Sequence, residues 1–112
     1  MLLHEDELRD LVNRILARAR DLLDRLGLDS TDAETGLVHR ECRVGPYLLI
    51  EHQRQQLKGG DIKTNGLDLW ELDGENARKK LSVNYIPFSV KNFDKAGKAP
   101  WIDHFFDLSD QM

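Results

Sequence analysis

The 112-residue chain has one cysteine, three prolines and no long apolar run. A lone Cys42 cannot close an internal disulfide, and one thiol without companion ligands cannot build a structural zinc site. No segment approaches the ~18 consecutive apolar residues of a spanning helix. The first residues turn acidic at Glu5-Asp6-Glu7, too early for a secretory signal, so a cytoplasmic protein is expected. Gly-rich phosphate cradles, serine-centred elbows and cysteine knuckles are also missing, which lowers the expectation of an enzyme without removing it. No cofactor and no metal is assigned.

What remains is ordinary for a globule: 40% hydrophobic residues, 32% charged and a formal net charge of −4. A chain of this size buries roughly two-thirds of the surface its unfolded form exposes, so one domain over residues 1–112 with a real core is expected.

Residues 5–26 read as an amphipathic helix. With Leu8 at zero and 100° per residue, Leu11, Val12, Ile15, Leu16, Ala19, Leu22, Leu23 and Leu26 fall between about −60° and +80°. Acids occupy the first turn, where the helix dipole favours them, and Gly27 marks the stop. A coiled coil would need a narrower seam over more heptads, and a membrane-surface helix would need a basic polar face, whereas five arginines here meet six acids. A helix laid on a sheet is the favoured reading.

Residues 27–36 read as a polar connector. Residues 37–44 and 47–53 follow as strands around Gly45-Pro46, and residues 58–66, with Gly59-Gly60 and Asn65-Gly66, as an irregular loop. Residues 67–72 and 80–86 form a second expected hairpin around Asp73-Gly74-Glu75-Asn76, with Pro87 ending the strand before Phe88 and Val90 alternate once more. Trp101, Phe105 and Leu108 have the spacing of a short terminal helix. The order predicts an α+β fold: a long N-terminal helix packed on a four- or five-stranded antiparallel sheet, with a short C-terminal helix, since connections are too short for parallel crossovers.

One helix covers one face of a small sheet, yet this sheet asks for two covers. Both parities of Tyr47-Leu48-Leu49-Ile50 are apolar, and Leu67 and Leu69 oppose Trp70 and Leu72. The C-terminal aromatics would supply the second cover, with a partner protein or a second copy as the alternative. The leading expectation is a small non-enzymatic binding or regulatory module, of inhibitor, immunity or adaptor type. Its candidate anchors are Trp101, Phe105 and Phe106, with Trp70 as their neighbour.

Two other chemistries compete. Residues 76–99 hold six basic residues, Arg78, Lys79, Lys80, Lys91, Lys95 and Lys98, against Asp94 alone, with Tyr85, Phe88 and Phe93 interleaved, as a single-stranded nucleic-acid surface would require. Glu51 followed by Asp61-Ile62-Lys63 resembles the core of PD-(D/E)xK nucleases, which implies two carboxylates on Mg²⁺ and a lysine beside the attacking water. In that family the Asp-x-Lys segment lies on a central strand, whereas glycines bracket it here. Cys42 reads as a small buried hydrophobe that shares no strand face with His39. His104 between Asp103 and Asp107 reads as solvated.

Overall fold

A computed structural model describes residues 4–31, 33–34, 38–53, 64–93 and 100–112. Helix α1 spans Glu5–Leu26, and its apolar stripe is the buried one: Val12, Ile15, Leu16, Ala19, Leu22 and Leu23 all face inward. Leu8 and Leu11 of the stripe are half-buried, and Leu26 at its end is 44% exposed. The Gly27 N–H closes the helix on the Leu23 carbonyl at 2.9 Å.

Six strands follow: β1 Leu28–Thr31, β2 Val38–Val44, β3 Tyr47–Gln53, β4 Thr64–Asp73, β5 Asn76–Tyr85 and β6 Phe88–Lys91. Every neighbouring pair is antiparallel and the spatial order is the chain order, a simple meander. Helix α2, Pro100–Ser109, completes the chain. The α+β architecture is therefore the expected one, with six strands among the described residues rather than four or five. No helix of the described residues is long and apolar enough to cross a membrane.

Three segments differ from the sequence reading. β5 begins at Asn76, within the expected turn, and not at residue 80. β1 lies inside the stretch read as connector, and all four of its residues are exposed. It carries no alternation of burial, and its pairing with β2 alone makes it a strand. β4 begins at Thr64, so Asn65-Gly66 is strand and not loop. Gly66 is there for space: a Cβ would stand 2.3 Å from the Val83 carbonyl oxygen of β5. The remainder of that loop reading lies outside the described residues.

Strand parity sorts the sheet into two faces. Cys42, Val44, Tyr47, Leu49, Leu67, Leu69, Leu81 and Val83 are buried against α1, and with the inner face of α1 they form one hydrophobic core. α2 joins this same layer. Ile102 and Phe105 are buried in the core, and the Tyr47 ring meets those of Trp101, His104 and Phe105 at 5.6–6.3 Å. Leu108 reaches the β2–β3 turn, where Gly45 has φ +56 and no side chain to obstruct it. The expected second cover is thus corrected: the C-terminal aromatics extend the first layer, because Tyr47, their anchor, belongs to the same strand parity as Leu49.

Candidate functional site

The opposite sheet face has no helix on it among the described residues. Its side chains align in rows set by strand register. One row runs Arg43, Leu48, Trp70, Lys79 across β2 to β5. A second runs Leu28, Glu41, Ile50, Asp68, Ser82, Lys91, and a third places His39 beside His52 and Gly66. Leu72 lies beyond Trp70, opposite Ala77. Leu48, Ile50, Trp70 and Leu72 are each half-buried by their neighbours and form an apolar centre.

Charge frames that centre. The Lys79 ammonium sits 4.9 Å from the centroid of the Trp70 ring, a cation–π contact, and 3.6 Å from Asp68. At the other end of the row Arg43 donates its Nε–H to the Gly45 carbonyl at 2.9 Å and forms no ion pair among the described residues. Among the described residues of this face, three cations, Arg43, Lys79 and Lys91, thus oppose two carboxylates, Glu41 and Asp68, in a chain whose net charge is −4.

Asp68 is the polar hinge of this face. His52 Nε2–H donates to its Oδ2 at 2.8 Å and the Ser82 hydroxyl to its Oδ1 at 2.6 Å. Burial pushes the carboxyl up, but the His52 and Ser82 hydrogen bonds and the charges of His52 and Lys79 outweigh it and hold Asp68 below the ordinary carboxylate range. A depressed folded value contributes stability above the unfolded value near ~3.9, lost as pH falls through the folded one. Asp68→Asn should therefore flatten the loss of stability on acidification below about pH 4. An acid limb identical to wild type in pH-dependent urea unfolding would contradict this. The trio is not a nucleophile relay, because the carboxylate stands between serine and histidine and occupies both.

The sequence-derived candidates fall in different places. Trp70 is on the open face, so it is not a neighbour of Trp101, Phe105 and Phe106, which lie across the sheet. Phe105 is 0% exposed and belongs to the core. Trp101 is half-buried against Tyr47 and Phe93. Phe106 is half-buried under the guanidiniums of Arg14 and Arg18, at 5.4 and 5.5 Å from its ring. Those residues line a shallow groove of about 390 Å³ with Ala17 and Asp21.

The basic strip is divided. An extra residue in β5 at the Leu69/Trp70 bulge sets Lys79 opposite Trp70, while Arg78 pairs with Glu71 on the helix-covered side. Lys80 lies 3.6 Å from Glu71. Tyr85 is held beneath Arg20, 5.3 Å from its ring, and is not free for base stacking. Lys95 and Lys98 lie outside the described residues, as do Asp61 and Lys63 of the nuclease-like pattern. Glu51 is 1% exposed, and its Oε1 accepts from Arg40 Nε at 2.9 Å and Nη2 at 2.6 Å. A cation there would have to displace this guanidinium.

Cys42 is buried, and its burial pushes the thiol up, away from nucleophile chemistry. His104 Nδ1 lies 2.9 Å from the Tyr47 hydroxyl. Burial, then the charge and hydrogen bond of Glu71, raise that phenol to about 12. The ring pair His39 and His52, 5.8 Å apart, was not read from the sequence. A two-residue turn at Gly45-Pro46 fixes this register, since it sets Val44 against Tyr47 and, five pairs on, His39 against His52.

No family model matches the chain, and no curated protein or solved structure matches it.

Proposed function

We propose that this protein is a non-enzymatic binding module whose working surface is the open sheet face, and that it docks an acidic protein segment carrying an apolar anchor. The observation that carries the reading is the row Arg43, Leu48, Trp70, Lys79: an apolar middle with a cation at each end, on the side of the sheet that no described helix covers. Trp and Arg are the residue types that dominate interface energies, and half-buried aromatic ground flanked by charge suits an anchor with carboxylates on both sides. A partner of that chemistry also complements the local excess of cations. An inhibitor, immunity-type or adaptor role would each work through such a surface.

The probe is a synthetic peptide with leucines between glutamates, measured by isothermal titration against the same peptide with lysines in place of the acids. The acidic peptide should bind and the basic one should not. Trp70→Ala and Lys79→Glu should each weaken binding at least about tenfold, near 1.4 kcal/mol. Raised salt should weaken it further. Equal affinity for both peptides, or an affinity indifferent to Trp70→Ala, would overturn the assignment.

A further inference from the structure

Among the described residues, four of the five large hydrophobic side chains that stand most exposed lie in or beside the two outer strands: Leu28 in β1 and Leu26 just before it, Phe88 in β6 and Ile86 in the turn before it. Each outer strand also has one row of backbone groups without a strand partner among the described residues, the feature that makes an edge a template for another strand. The two edges differ in what they offer a second copy of this chain.

A symmetric antiparallel pair must keep each face continuous, so residues can meet only partners of the same parity. In β6, Phe88 and Val90 belong to the helix-covered face and Ser89 and Lys91 to the open face, as their partners Tyr85, Val83, Asn84 and Ser82 establish. Centring the two-fold axis on Ser89 places each Phe88 against Val90 of the second copy and Ser89 against itself. That register forms two aromatic–β-branched cross-strand pairs, among the favourable combinations in antiparallel sheets. The two Lys91 side chains fall at opposite ends of the pair and do not face each other. β1 offers no equivalent: its sequence Leu-Asp-Ser-Thr holds one apolar residue, so no register forms two apolar cross-strand pairs, and the one centred on Asp29 also sets like charges face to face.

We infer that β6 is a self-complementary edge through which two copies of this chain associate into one continuous twelve-stranded antiparallel sheet, with Ser89 on the two-fold axis. The interaction closes on itself, as isologous contacts do, and does not propagate into fibres. Its short length makes it a weak association, of the class that forms and dissociates readily. The helices pack chiefly over β2 and β3, so the pairing extends the sheet sideways and leaves both Trp70 faces open. This inference does not depend on the docking role proposed above.

Sedimentation equilibrium from roughly 10 µM to roughly 1 mM should show monomer passing to dimer and stopping there. Phe88→Glu, at a residue 50% exposed, should raise the dissociation constant at least about tenfold, with circular dichroism checking that the fold is kept. Ser89→Cys supplies a test that needs no destabilising change. Mild oxidation should link it into a covalent dimer, because Cys42 is buried, while Ser30→Cys on the β1 edge should form no covalent dimer. A monomer at every concentration, a dimer indifferent to Phe88→Glu, or cross-linking through Ser30→Cys in place of Ser89→Cys would overturn it.

Discussion

Glu51→Ala should destabilise the fold by about 3–5 kcal/mol, among the largest losses available to a single polar substitution. The carboxylate lies at the centre of the seam between helix and sheet. Arg40 grips its Oε1 through two nitrogens and reaches Asp24 of α1 at 2.8 Å, while the Tyr85 hydroxyl stands 3.4 Å from Oε2 and Arg20 stands 4.0 Å from it. Burial lowers the affinity of Arg40 for its proton, yet the hydrogen bonds and charges of Asp24 and Glu51 outweigh it and raise it. Burial also raises the Tyr85 phenol, with the Glu51 charge adding to it against the opposing effect of Arg20. Removing Glu51 would leave a mostly buried guanidinium with only the exposed Asp24 to balance it. The paired change Arg40→Met with Glu51→Leu should recover much of the loss, since it removes both charges and fills the space. Urea unfolding midpoints at constant slope measure this. A cost below about 1 kcal/mol for Glu51→Ala, or a double variant worse than the single one, would show that the seam does not rest on the pair.

Phe105→Ala should cost a further about 3–5 kcal/mol, whereas Trp70→Ala should cost about 1 kcal/mol or less. Both remove a large ring, so the contrast isolates position. Phe105 is fully enclosed, edge-on to Tyr47 at 5.7 Å and to Phe106 at 5.7 Å, and its loss opens a cavity where α1, α2 and the sheet meet. Trp70 is half-buried on the open face, where solvent and the Lys79 stem refill the space. Thermal unfolding of the two variants side by side decides the point. Equal losses would mean that Trp70 serves the core as much as Phe105 does, which would remove the reason to regard its face as available.

Much of this arrangement is written plainly in the chain. A 3.6-residue stripe with acids at its start specifies α1, and the turn residues Gly45-Pro46 and Gly74-Glu75 specify two hairpins, hence an antiparallel sheet. The doubled apolar parity of Tyr47 to Ile50 and Leu67 to Leu72 is also visible there, and it corresponds to a covered face and an open one. The seating of α2 is not visible. Its aromatic residues suit either face equally, and the choice is made by Tyr47, whose ring stands among Trp101, His104 and Phe105.

Other features escape local reading for different reasons. β1 is solvent-exposed along its whole length, so no burial rhythm announces it. The basic run from Arg78 to Lys91 reads as one surface, but alternation sends Arg78 and Lys79 to opposite faces, and the β-bulge decides that Lys79 is the one beside Trp70. Asp68 draws on His52 of β3 and Ser82 of β5, and no spacing along one strand brings these three together. Register across strands does, which is why the site becomes legible only once the turns have fixed the pairing.

On the proposed function, the face bearing Trp70 receives the partner while the helical layer only supports it. Two-dimensional NMR of the isotope-labelled protein titrated with the glutamate–leucine peptide locates the contact directly. Shift changes are expected at the Trp70 indole and the methyl groups of Leu48, Ile50 and Leu72, with Phe105 and the inner face of α1 unmoved. Changes confined to α1 and α2, or none at saturating peptide, would contradict it.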